Sequence, residues 1–210
     1  MPDIIKLVNG FRIFKSTIFQ QKKDIIKHLL RQEHKPTTLV ISCVDLRMSP
    51  SEIFATNPGD LYVINNIGGL VPKYDTSGIH GIMASIEYAV KDLQVQNIII
   101  LGHAKCDSIK MMMSDKYADK KLSESMQKWL SVAESARDAV KKQLVGKSEE
   151  EQISCCERES VVVSLKNLIG YPYIAERIKK NNIQIFGLHF NIEHGEILCF
   201  NDRNGCFESI

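Results

Sequence analysis

The period of apolar positions changes several times along the chain, and each change marks an element. Residues 3–32 carry the helical period, and within "KKDIIKHLLRQ" (22–32) Ile25, Ile26, Leu29 and Leu30 fall on one face. Pro36 breaks the pattern, and "TTLVIS" (37–42), apolar and β-branched, reads as a buried strand. "DLYVIN" (60–65), entered through Pro58-Gly59, is a second strand. "SGIHGIMASIEYAVKDL" (77–93) returns to helical spacing with Ile79, Ile82, Met83, Ile86 and Val90 inward. "NIIILG" (97–102) is a third strand, and another helix opens over 105–113. Residues 114–150 predict charged helix with a solvated face, Trp129 and Leu130 being its packing points. "ESVVVSLKNLIGYP" (159–172) predicts a helix that stops at Gly170 and Pro172. "IQIFGLHF" (183–190) and "EILCFN" (196–201) are the last two strands, and His194-Gly195 between them predicts an antiparallel hairpin.

Strands separated by helices predict an α/β fold: a mainly parallel sheet flanked by helices, with an antiparallel C-terminal edge. A length of 210 residues allows one large domain, or one domain with an arm, and is enough to bury a substantial core. The chain shows no internal repeat, low-complexity tract or clear linker.

Charge and composition then narrow the function. Lys plus Arg number 27 against 25 Asp plus Glu, a near balance that argues against a nucleic-acid partner. The longest apolar runs, such as "IIILG" (98–102) and "VVV" (161–163), fall far short of a membrane span. The N-terminal stretch alternates charged and apolar residues and does not read as a secretory signal, which predicts a cytoplasmic protein. The six cysteines at 43, 106, 155, 156, 199 and 206 therefore read as thiols or metal ligands rather than a disulfide frame. Cys155, Cys156, Cys199 and Cys206 read as ordinary thiols, and His28, His80, His189 and His194 as surface or satisfied core groups.

In a parallel sheet, chemistry gathers beyond the carboxyl ends of the strands. Two clusters fall there: Cys43-Val44-Asp45-Leu46-Arg47 after the first strand and His103-Ala104-Lys105-Cys106 after the third. Adjacent strands would bring Cys43, His103 and Cys106 to one edge, and two thiolates with one imidazole suit zinc in a tetrahedral shell whose fourth place is left for water. Arg47 is placed to hold the Asp45 carboxylate by paired hydrogen bonds, so that Asp45 can accept a hydrogen bond from the activated water. The chemistry implied is attack of hydroxide on a small electrophilic carbon.

Carrying C-x-D-x-R and H-x-x-C together with "NPGDLYV" (57–63), "IEYAV" (86–90) and "SLKNLIGYP" (164–172), the chain resembles the β-class carbonic anhydrases, in particular the plant-type branch. The step of 60 residues from Cys43 to His103 matches that branch without a gap, and the similarity runs from "GFRIFK" (10–15) to about Asn201. The resemblance implies reversible hydration of carbon dioxide to bicarbonate and a proton. It implies Cys43, His103 and Cys106 as zinc ligands and Asp45 with Arg47 as the catalytic dyad. It implies a substrate pocket at a homodimer interface receiving His34, Tyr62, Ile67 and Tyr88. It further implies an N-terminal helical arm over 1–35 that embraces the partner, followed by the zinc-binding domain over 36–210.

The chain departs from the family pattern at three places. His34 stands where the family has glutamine, Asn65-Asn66 where it has Arg-Asn, and Asp107-Ser108 where it has Gly-Gly. Asp107 is expected either to cap the following helix or to crowd the pocket. The competing readings are a zinc hydrolase of another small linear substrate such as carbon disulfide, a zinc-stabilised and catalytically weak homologue serving as a binding or assembly module, and a metal-free cysteine hydrolase with Cys43 as nucleophile and His103 as base.

Overall fold

A computed structural model describes residues 2–31 and 35–210. Helices α1 (Pro2–Ser16), α2 (Ile18–Gln21) and α3 (Lys23–Arg31) come first, then β1 (Thr38–Cys43), α4 (Pro50–Ile53), β2 (Leu61–Asn66), α5 (Gly81–Lys91) and β3 (Asn97–His103). Five helices follow, α6 (Asp107–Met113), α7 (Asp115–Ala118), α8 (Glu124–Leu130), α9 (Glu134–Gln143) and α10 (Glu149–Ile169), then α11 (Pro172–Lys179) and the strands β4 (Gln184–Asn191), β5 (Glu196–Asn201) and β6 (Cys206–Ser209).

The strands form one sheet in the order β2-β1-β3-β4-β5-β6, parallel through the first four and antiparallel at the β5–β6 edge. This is the predicted α/β architecture. Register sets the site: Cys43 pairs with Asn66 and Ser42 with Leu101, so Cys43 and His103 leave the sheet at the same edge.

Alternation sends β-strand side chains to opposite faces. Leu39, Ile41, Ile98 and Ile100 pack under α5, α10 and α11, whereas Val40, Leu101, Leu188 and Phe190 form the core of the other face. Each such buried side chain contributes about 1.5–3 kcal/mol relative to exposure. A third cluster joins Cys43 and Cys106 to Met112, Leu130, Val140 and Cys156, so the cysteine site has an apolar floor of its own. Two glycines let α10 lie close on the sheet. A Cβ at Gly102 would stand 2.5 Å from Val161 Cγ2, and one at Gly187 would stand 2.7 Å from Leu165 Cδ1.

Local differences from the sequence expectation have identifiable causes. Of the helical stretch expected over 3–32, the described residues to Arg31 form three helices, interrupted at Thr17 and Lys22, and the Thr17 hydroxyl donates to Ile13 O. Ile79, expected inward, is fully exposed, because α5 starts only at Gly81. Ser77 instead donates its N–H and hydroxyl to Asp75 and closes a separate turn. The helix expected to begin at 159 begins ten residues earlier, where Ser148 and Glu151 form a capping box. Gly170 ends it as expected, but Pro172 opens α11 instead of ending structure, since a proline at N1 needs no donor. Strand β6 was not anticipated. Asn204-Gly205, with Gly205 at φ +72°, is the turn signal that announces it. Among the described residues no helix is long and apolar enough to cross a membrane.

Candidate metal centre

Strand β1 ends in Cys43 and β3 in His103, while the loop after β3 turns back through Cys106 into α6. The three ligand atoms lie within 4.8 Å of one another and all three residues are buried. The two sulfurs are 3.7 Å apart as free thiols, too far for a disulfide bond.

His103 is oriented by its own loop. Nδ1 lies 2.9 Å from Ala104 O, so it carries the proton, and Nε2 is left with its lone pair. That Nε2 is buried and has no hydrogen-bond partner. A buried imidazole nitrogen without a partner beside two thiols is the donor set of a metal ion.

The electrostatics agree with the geometry. The Cys43 thiol is held far below its ordinary range by its hydrogen bond with Cys106, by the adjacent His103 imidazole and by the Asp45 N–H, which together outweigh burial. Gly68 N–H also donates to Cys43 Sγ, at 3.3 Å. Cys106 is pushed up by its hydrogen bond to Cys43 and by burial. Burial works against a charged His103, but the Cys43 thiolate overrides it and raises the imidazole. One thiol of the pair thus ionises readily and the second does not. A cation between them removes that conflict, so the residues present fit a zinc ion.

Asp45 and Arg47 stand beside this cluster. Arg47 Nη2 lies 3.6 Å from Asp45 Oδ1 and 3.8 Å from Asp107 Oδ2, so one guanidinium serves two carboxylates. Asp45 Oδ2 accepts from Asp107 N–H at 2.9 Å, and Arg47 Nη1 donates to Lys105 O at 3.1 Å. Asp107 does not cap α6, whose N-cap is Cys106 without a side-chain bond. The carboxylate points outward and is largely exposed. Ser108, the other departure on this loop, is buried with its hydroxyl 4.0 Å from Cys43 Sγ. Asn65 accepts from the Ser42 hydroxyl at 2.6 Å, and Asn66 closes the turn after β2 through Leu70 N–H and O.

Of the expected pocket residues, Ile67 packs against the cysteine cluster, and its carbonyl accepts from Trp129 Nε1 at 2.7 Å. Tyr62 and Tyr88 face each other across β2 and α5 with ring centroids 6.1 Å apart, and Tyr88 is 49% exposed. His34 lies outside the described residues. Two buried groups behind the loop escaped the reading of the sequence: Glu157 of α10, whose Oε1 accepts from Cys106 N–H at 2.9 Å, and His189 of β4, 3.7 Å from Glu157 Oε2. His189 was expected to be exposed or hydrogen-bonded, yet it is buried and neither ring nitrogen has a hydrogen-bond partner. A signal for Glu157 existed, because it falls four and eight residues before Val161 and Leu165, on the apolar stripe of α10.

The carbonic anhydrase family model matches residues 38–197. The chain is 33% identical over 192 residues to β carbonic anhydrase 3 of Arabidopsis thaliana, covering 90% of this chain and 74% of that one. It is 30% identical to a carbonic anhydrase of Synechococcus elongatus, covering 92% and 70%. Among solved structures, the β-carbonic anhydrase CcaA superposes with a TM-score of 0.93 at 28% identity, covering 100% of this chain and 93% of that chain. A tetrameric β-carbonic anhydrase of Sordaria macrospora shares the fold with a TM-score of 0.84 at 24% identity, covering all of both chains. With the cysteine and histidine cluster at the sheet edge and the match running through both motifs, the chain belongs to the carbonic anhydrase family, in its β class.

Proposed function

We propose that this carbonic anhydrase is a zinc enzyme that reversibly hydrates carbon dioxide to bicarbonate and a proton, with Cys43, His103 and Cys106 holding the metal. The observation that carries the reading is the buried, unpartnered Nε2 of His103 facing two thiols 3.7 Å apart. When bound, zinc supplies Lewis acidity, which lowers the pKa of water toward ~7.

The remaining roles belong to side chains. Asp45 and Gly68 N–H groups donate to Cys43 Sγ and stabilise its thiolate. The Asp45 carboxylate is placed to orient a water by taking that water's hydrogen bond on Oδ1. Its other oxygen is occupied by Asp107 N–H. Arg47 balances the carboxylate and keeps it from drifting toward the metal. Ile67, Tyr62, Tyr88 and His34 supply the substrate pocket, which is completed at the interface with a second copy. The arm over 1–35 clasps that copy and 36–210 carries the chemistry. Free thiols throughout fit the cytoplasm.

Elemental analysis paired with stopped-flow carbon dioxide hydration tests this. About one zinc per chain is expected, because three preformed ligands hold the ion tightly, and activity should scale with zinc content. A folded Cys43→Ser variant that keeps full zinc occupancy would sink the ligand assignment.

A further inference from the structure

Loop 103–107 is tied down peptide by peptide. Ala104 N–H donates to Phe190 O, Arg47 binds Lys105 O, and Asp107 N–H donates to Asp45. Lys105 sits at φ +58°, a left-handed conformation uncommon for a lysine. The Cys106 N–H is held differently from these. Its acceptor is a carboxylate of α10, Glu157, whose side chain is 3% exposed. Burying a carboxylate carries a desolvation cost, which calls for a partner to its second oxygen beneath the loop.

His189 is the compensating group. His189 Nε2 lies 3.7 Å from Glu157 Oε2, its side chain is equally buried, and no hydrogen bond engages either ring nitrogen. The two residues come from α10 and β4, and the close seating of α10 on Gly102 and Gly187 brings them beneath the loop.

We propose that Glu157 and His189 are a buried positioning pair: Glu157 grips the Cys106 peptide and His189 fixes Glu157, so that Cys106 Sγ is aimed at the point shared with Cys43 and His103. The pair touches neither substrate nor metal and acts through the ligand's backbone. The inference deepens the zinc reading and rests on it for its effect on metal affinity, but the grip on the Cys106 peptide exists with or without the ion. Groups that orient metal ligands from outside typically govern affinity by 10–100-fold.

Glu157→Ala, Glu157→Gln and His189→Phe separate this from ordinary packing. In competition with a chromogenic chelator, Glu157→Ala should bind zinc about 10–100-fold more weakly than wild type. With cobalt(II) in place of zinc, its thiolate-to-metal charge-transfer band should shift. Glu157→Gln keeps an oxygen for the Cys106 N–H and should restore most of both. His189→Phe, which keeps the ring and removes the partner, should fall between. Amide hydrogen exchange over 104–108 should accelerate in Glu157→Ala and stay slow in Glu157→Gln. Wild-type affinity, an unmoved cobalt band and unchanged exchange in a folded Glu157→Ala would overturn the proposal, as would Glu157→Gln behaving like Glu157→Ala. If Glu157→Ala does not fold, Glu157→Gln and His189→Phe decide: near-native exchange and cobalt bands in the first with altered ones in the second support the pair, and any other combination overturns it. A wild-type chain that takes up no metal would end the zinc reading, while the exchange comparison would still decide the pair.

Discussion

Arg47 is the residue on which the loop's charges converge, since it faces Asp45 at 3.6 Å and Asp107 at 3.8 Å while also holding Lys105 O. Removing it leaves Asp45 without its counter-charge beside an ionised Cys43. Arg47→Ala and Asp45→Asn should each lower stopped-flow hydration by about 100-fold, the scale of a lost acid–base group, with circular dichroism unchanged. Wild-type rates in both would reduce the pair to a surface salt bridge. Asp107 draws on the same guanidinium. Asp107→Gly should leave Arg47 to Asp45 alone and raise turnover several-fold, and unchanged kinetics would make Asp107 a bystander. Cys43, His103, Cys106, Asp45 and Arg47 were all legible in the chain because each sits within five residues of a strand end and their types imply one another. Glu157 showed only as a polar residue on an apolar stripe, and its role, like that of His189, was not legible, because a buried carboxylate and a buried imidazole gain meaning only from a neighbour far along the chain.

Helix α10 is the element that couples core to site. It carries Glu157 to the loop and Ser164 and Asn167 to Val71, so its height above the sheet matters at both ends. A methyl group at Gly102 would press on Val161 at 2.5 Å. Gly102→Ala should destabilise by about 1–3 kcal/mol, seen as a lower thermal midpoint, and Val161→Ala in the same chain should recover part of it. No change in midpoint for Gly102→Ala would mean that the helix yields freely. At the far end of α10, Tyr171 is fully buried, donates to Pro72 O at 3.0 Å, and packs on Tyr74 and Tyr173. Burial pushes its phenol from 10 up to about 12. The folded state then keeps a proton that the unfolded chain has lost, so stability is present below pH 10 and falls as pH rises toward 12. Denaturant titrations at stepped pH should show that fall, and Tyr171→Phe should make it shallower, with buried Tyr117 and half-buried Tyr173 carrying the rest. An equal slope in both proteins would assign the alkaline loss to other groups.

At the scale of the whole molecule, the N-terminal helices present a broad apolar surface. Ile4, Ile5, Leu7, Val8, Phe11, Ile13, Phe14 and Ile18 are all exposed, and Leu30 is 82% exposed. Only Ile26 and Leu29 of the predicted α3 stripe are partly covered, and Leu29 reaches the body at Gly59. A second copy is the expected cover. Solution scattering should report a dimer or a multiple of it, and Ile5→Asp with Phe11→Asp should shift it toward monomer and lower thermal stability. A monodisperse, fully active wild-type monomer would rule out the arm as an interface.

The sequence by itself determined five of the six strands, the mainly parallel class of the sheet and the grouping of Cys43, His103 and Cys106 at one edge, because these depend on local period and on motifs that end at strand termini. Its errors were local too: Ile79 inside a helix that had not yet begun, Pro172 taken as a stop, and β6 overlooked behind Asn204-Gly205. Only the tertiary structure decided that Nε2 rather than Nδ1 of His103 faces the thiols, since the Ala104 carbonyl makes that choice. Only it placed Asp107 on Arg47 and seated Glu157 under Cys106 across 51 residues. Those facts follow from strand register and from how closely α10 can approach two glycines, which are properties of packed elements and have no signature in any one segment.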